Sequence, residues 1–335
     1  MTAPALASDP RREQWIDALR GFIMLLMVFG HVWAGLEKSR ILTSHELFQR
    51  LYDYIYFFHM PTLFAISGML FSGPPPGKGL WANQARRSVR FVYPLVLWSY
   101  LYFLTKYLVG DGVNNPVTFN DVLFGPFPPK DHFWFLWALL LIQIAAALLV
   151  VSGLSNKILL FVLGLALPLA LAYVPWIGTA WTAPAMQNAP FFFLGMLLGR
   201  TPFKASASGA RAVLGAVFFV AIPVYAVLVA SLQTVLLVLP LQCLCILSLL
   251  MTARGASPRF TDHPITLALI KAGQASMTIY LLHVFFTSGA RIFLIALNVN
   301  DLLTHLVVAT SLGVLVPIVI HFNMTSKSAR KILGF

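Results

Sequence analysis

Long apolar runs recur along this chain near 16–36, 47–72, 91–109, 133–151, 158–174, 188–200, 212–230, 232–252, 275–297 and 302–322, with short polar or turn-forming intervals between them. Most are close to the roughly 20 residues that a helix needs to cross a bilayer. The pattern predicts an all-α integral membrane protein of about ten transmembrane helices. The run at 188–200 is short and is expected to extend back through Trp181. The run at 158–174 carries Pro168, which predicts a kink.

The longest interval, 110–132, reads GDGVNNPVTFNDVLFGPFPPKDH and is too short and turn-rich to fold alone. Residues 1–335 are therefore expected to form a single transmembrane domain with no separate soluble domain. Phe119, Phe124, Phe127 and Phe133 would let this interval rest on the membrane face. On the opposite side, SGPPPGKGLWANQARRSVR joins a proline-glycine break to a basic, helical segment. No internal repeat of the kind found in inverted-repeat transporters is visible.

Composition supports a membrane protein: 59% hydrophobic and 10% charged residues, with a mean hydropathy of +0.81, leave more apolar surface than one water-soluble core can hide. A net charge of +12 raises the question of nucleic acid, and the distribution of the basic residues answers it. With the N-terminus cytoplasmic and an even number of spans, seventeen Lys and Arg residues fall inside and five outside, with Arg291 inside a span. That asymmetry is the positive-inside pattern, so both termini are expected in the cytoplasm and no nucleic-acid partner is needed. The first run lacks a clear cleavage site and is expected to remain as a helix. Cys243 and Cys245 do not face each other on a helix, and are read as packing residues, with no metal site.

Ionisable groups inside spans are rare and mark functional positions. His31, His59, His283 and His321 qualify. His321 is near the end of the last run and is expected to snorkel. His59 precedes Pro61, and a role in meeting a carbonyl freed by the proline is as well supported as a catalytic one. His283 shares a helical face with Tyr280 and Ser276, a stripe suited to a cavity wall, and Arg291 follows two turns later as a snorkelling residue or an attractor of an anionic substrate group. His31 follows Arg20 by eleven residues, roughly 16 Å along a helix. A ligand with an anionic head at Arg20 and a slender arm would present its far end at His31, and coenzyme A has that shape. Asp17 is placed to pair with Arg20. Arg86, Arg87 and Arg90 supply guanidiniums on the same side: the spaced pair Arg87 and Arg90 is suited to phosphate more than to topology alone, Arg86 to either equally.

The stretches IDALRGFIMLLMVFGH, FFHMPTLFAISGMLF, HFWFLWALL, FFFLGMLLGR and ASMTIYLLH, with the Arg87–Arg90 pair running into FVYP, together resemble the membrane-bound acyltransferase-3 family of O-acyltransferases. In that resemblance Arg20 and His31 match the family's basic residue followed by ten others and a histidine, and Arg87 and Arg90 its paired arginines. The resemblance implies transfer of an acyl group, commonly acetyl from acetyl-coenzyme A, to a hydroxyl of a lipid-linked or surface glycan. The chain is similar to stand-alone bacterial members that acetylate exopolysaccharide or surface-antigen sugars in the inner membrane. An extracytoplasmic esterase-like domain, carried by some members, is not expected here, and transfer is expected to finish within the membrane domain.

His31 is then the expected general base or, alternatively, the carrier of an acyl-imidazole intermediate. Its orienting partners must come from other spans, with Ser67, Trp134, Tyr280 and His283 as candidates. Donor binding falls to Arg20, Arg86, Arg87 and Arg90. The competing reading is a multi-span transporter or flippase of a lipid-linked glycan, which would also carry intramembrane histidines.

Overall fold

Hydrocarbon offers a backbone amide no hydrogen-bond partner, so an apolar run must close its own bonds as a helix. A computed structural model of the protein describes residues 10–72, 80–199, 209–228, 235–260 and 262–335. Within the helices a few side chains, those of Arg86 and Arg87 included, lie outside the described set. The helices are α1 (Pro10–Lys38), α2 (His45–Met69), α3 (Leu80–Val109), α4 (Phe119–Phe124), α5 (Trp134–Val151), α6 (Lys157–Tyr173) and α7 (Ala183–Leu198). They continue with α8 (Gly209–Leu228), α9 (Val235–Phe260), α10 (Pro264–Gln274), α11 (Ser276–Ala296), α12 (Leu302–Asn323) and α13 (Lys327–Leu333). No described residue lies in a strand.

Among the described residues each of the ten apolar runs falls largely on a helix. Among the described residues five segments are long and apolar enough to cross a membrane: Gln14–Lys38, Asp131–Val151, Val235–Gly255, Ser276–Ala296 and Leu302–Asn323. Lys157–Tyr173 and Ala212–Tyr225 are apolar but shorter. In α2 the residues Glu46, Arg50 and Asp53 concentrate charge in the first turns and leave only the later half apolar. Helix starts carry their own caps. Ser44, Asn156, Asp301 and Ser326 each accept a bond from the first turn of the helix they precede, satisfying amides that would otherwise be orphaned.

Consecutive helices pack as neighbours, α1 on α2, α6 on α7, α8 on α9 and α11 on α12, while α2 also packs on α7, and α1 on α10 and α11. Two of these contacts are reciprocal glycine–carbonyl crossings. A Cβ on Gly21 would overlap the Leu269 carbonyl of α10, and one on Gly273 would overlap the Asp17 carbonyl of α1. Gly68 and Gly195 stand in the same reciprocal relation to the Phe192 and Ala65 carbonyls, between α2 and α7. With no side chain in the way, backbones meet directly and dispersion and Cα–H···O contacts replace side-chain interdigitation.

Several expectations need correction. The 110–132 interval is not wholly irregular, because Thr118 and Asp121 form a capping box that starts α4. Phe119, Phe124 and Phe127 are exposed as expected, but Phe133 is fully buried, its ring 5.7 Å from that of Tyr102. Trp181 lies in the turn before α7, its carbonyl accepting the Trp137 indole N–H at 2.9 Å. The short α10, in what reads as a loop, packs along the first half of α1.

Gly273→Val should force α10 off α1 and lower stability by about 1–3 kcal/mol, as overpacking does. Gly289→Ala, where an added Cβ meets nothing within 4 Å, should leave thermal unfolding in detergent unchanged. Equal melting temperatures for the two variants would contradict the packing described.

Candidate functional site: two cavities along one helix

Arg20 and His31 sit on α1 in two different cavities, and no residue lines both. The His31 cavity has a volume of about 400 Å³ and is walled by the C-terminal end of α1, by Tyr52 and Tyr56 of α2, by Tyr102 and Lys106 of α3, by His132 and Trp134, and by Thr287, Ser288 and Arg291 of α11. The Arg20 cavity has about 330 Å³ and is walled by Ser67 and Phe71 on or beside α2, by Phe91 of α3, by Phe135 and Gln143 of α5, and by Ser276 and Tyr280 of α11.

Helical periodicity explains why the same elements serve both. Along α11, Ser276 and Tyr280 face one cavity and Thr287 and Arg291 the other, with His283 between them. Along α2, Tyr52 and Tyr56 face the His31 cavity and Leu63 and Ser67 the Arg20 cavity, with His59 between. His59 and His283 thus belong to a septum, 1% and 0% exposed.

Three imidazoles meet at the His31 cavity. Ring centroids are 5.0 Å apart for His31 and His283, 6.2 Å for His31 and His132, and 5.3 Å for His132 and His283. The Nδ1 of His283 lies 3.0 Å and 2.8 Å from the Ile279 and Tyr280 carbonyls, which makes it the N–H donor and leaves Nε2 as a bare acceptor. That Nε2 and the Nε2 of His132 have no hydrogen-bond partner. His31 makes no hydrogen bond to any described residue, and its ring opens to the cavity. Among the described residues no group of His, Cys, Asp or Glu is arranged to hold a metal ion, the three histidines included.

The segment carrying His132 is fixed from both sides. The Tyr280 hydroxyl donates to the His132 carbonyl at 2.5 Å, Lys106 pairs with Asp131 at 3.2 Å, and Asn114 donates to the Gly35 carbonyl at 2.9 Å. Lys130 bonds Asp121 at 2.9 Å. That ammonium, followed by the Thr118 backbone and hydroxyl, holds the exposed Asp121 carboxyl well below the usual carboxylate range.

At the other end Arg20 pairs with Asp17 at 3.1 Å, as the spacing predicts. Phe91 lines the Arg20 cavity, but the neighbouring Arg90 is exposed outside its wall, and the side chains of Arg86 and Arg87 lie outside the described residues. Ser67 donates to the Leu63 carbonyl at 2.8 Å and faces Arg20, not His31. His59 does not bond the carbonyl that Pro61 frees: its Nδ1 lies 2.8 Å from the Ile55 carbonyl, while Gln242 of α9 donates to the freed Phe57 carbonyl at 2.9 Å. His321, expected to snorkel, bonds Thr278 at 2.9 Å. His132 escaped the sequence reading because it falls at the end of a presumed loop. Its position at the mouth of an apolar run, on the same side as His31 and Arg291, was the available signal.

The fold and the site define a helical membrane protein with ionisable groups gathered between its helices. The chain belongs to the acyltransferase domain family Acyl_transf_3, whose profile matches residues 13–322. Among curated proteins it is similar to Nodulation protein NolL of Sinorhizobium fredii, 27% identical over 202 residues, covering 58% of this chain and 51% of that protein. Nodulation protein NolL of Mesorhizobium japonicum is 26% identical over 195 residues, 58% of this chain and 50% of its own. The chain thus spans about half the length of the curated relatives it matches. No solved structure matches it.

Tyr280→Phe keeps the ring but leaves the buried His132 carbonyl without its donor, at a cost of about 1–3 kcal/mol. The expected result is a lower melting temperature together with reduced acyl transfer. Full stability and full activity would show that the hydroxyl does not position His132.

Proposed function

We propose that this acyltransferase moves an acetyl group from cytoplasmic acetyl-coenzyme A to a hydroxyl of a lipid-linked or exported carbohydrate, in the bacterial inner membrane. The observation that carries this reading is the placement of Arg20 and His31 of one helix in separate cavities at opposite ends of the site. In this reading residues 1–335 act as one ten-span domain with both termini in the cytoplasm. The Arg20 cavity faces the cytoplasm and takes the donor, with Arg87, Arg90 and Arg86 assisting through phosphate contacts. The His31 cavity takes the acceptor from the outer side. Its wall of tyrosines and hydroxyls, including Tyr52 and Tyr56 stacked 3.9 Å apart, suits a sugar, which offers an apolar ring face and a polar edge.

His31 takes the proton from the acceptor hydroxyl as the oxygen attacks the thioester carbonyl. The tetrahedral intermediate collapses with cleavage of the carbon–sulfur bond, and the imidazolium returns the proton to the departing thiolate. His283, one ring away, and Trp134, in the same wall, hold the His31 imidazole in place.

His31→Ala should abolish transfer while expression and detergent stability stay near those of the wild type. His59→Ala should lose stability first, because its ring is packed in the septum. Turnover retained in the former and lost in the latter would refute the assignment of the base. Separately, Arg20→Lys should raise the KM for acetyl-coenzyme A, read by thioester consumption with purified protein; a flippase would consume no thioester at all.

A further inference from the structure

Arg291 is 7% exposed and forms no hydrogen bond or ion pair with any described residue, yet it stands in the wall of the His31 cavity. A guanidinium buried without a counter-charge is costly in a helix of membrane length, and such groups are kept where they meet a ligand or a charge. The one carboxylate in the cavity wall, Asp131, is engaged by Lys106 at 3.2 Å. Lys38 stands at the rim, so cations exceed anions around this space.

The position of the guanidinium is equally specific. A Cβ on Gly35 would lie 2.8 Å from its Nη1, so the absence of a side chain at Gly35 is what lets Arg291 approach α1. Gly35 follows His31 by four residues on the same face, about 6 Å along the axis. That is close to the width of one pyranose ring.

We infer that the sugar residue acylated by this protein itself carries an anionic group, a carboxylate or a phosphate, and that Arg291 binds it while His31 addresses a hydroxyl of the same residue. This rests on the acyl-transfer reading above and adds the chemical class of the acceptor. The anion has two sources: an acidic or phosphorylated sugar within the glycan, or the diphosphate joining the first sugar to its lipid. In either case the guanidinium accepts it as a bidentate pair and aligns the ring.

The test begins with the cell's own glycans. Lipid-linked and surface glycans from cells with and without the gene are compared by tandem mass spectrometry. An acyl group on a uronate or phosphate-bearing residue supports the glycan source, and one on the sugar attached to the lipid diphosphate supports the lipid source. An acyl group only on a neutral sugar with no anion on it overturns the inference and leaves the acyltransferase reading standing. No acyl difference at all sinks both.

With the deacylated glycan from those cells as acceptor, Arg291→Gln should raise the acceptor KM about tenfold or more while the acetyl-coenzyme A KM stays within about twofold, and Arg291→Lys should recover part of the loss. A merely structural role would move both constants. An acceptor KM unchanged in Arg291→Gln, or no recovery with lysine, would overturn the role of Arg291.

Discussion

The site depends on the contact between α1 and α10, where Gly21 and Gly273 let two backbones touch. α1 carries Arg20, His31 and Gly35, and its position decides what each of them faces. Because Gly21 adjoins Arg20 in sequence, the crossing with α10 holds the arginine end of the helix at a fixed distance from the rest of the bundle. The second glycine crossing, Gly68 with Gly195, does the same for α2, which supplies the facing wall of both cavities. A few ångströms added at either crossing would be transmitted along rigid helices, since packed helices shift as bodies and do not deform locally.

Polar groups between the helices sort into two kinds. Thr62, Ser67, Ser248 and Thr252 return their hydroxyls to carbonyls of their own helix, and Gln242 repairs the gap left by Pro61. These are the local solutions a chain finds where water is absent. The Nε2 atoms of His132 and His283 have no partner, the Arg291 guanidinium bonds no described residue, and all three lie in or directly behind the wall of the His31 cavity. Ser99, His305 and Thr310 also carry a buried unpaired atom, so what sets these three apart is their gathering at one place.

The helical character and placement of the ten apolar runs were legible because run length and hydropathy are properties of a single segment. The Asp17–Arg20 pair was legible for the same reason, being set by spacing on one helix. The meeting of His132 with His31 and His283 was not, since it needs the turn at Asp131–Phe133 to fold back under Tyr280. Nor was α10 visible: it is short, and its place against α1 follows from a glycine whose partner is another helix's carbonyl. The arginines near the start of α3 show a further limit. Charge bias puts Arg90 on one side of the protein, but says nothing of its rotation about α3, and the residue that reaches the Arg20 cavity is its neighbour Phe91.

The septum of His59, His283 and their apolar neighbours has a consequence beyond positioning. A protein that served a donor from one side and an acceptor from the other through a continuous water-filled path would conduct protons, and a potential of 100 mV drives each charge with about 2.3 kcal/mol. The Arg20 and His31 cavities share no lining residue, and the buried rings of His59 and His283 stand between them. In the proposed reaction the acyl arm must pass this septum to reach His31, so the path between the cavities is open only while the donor itself fills it.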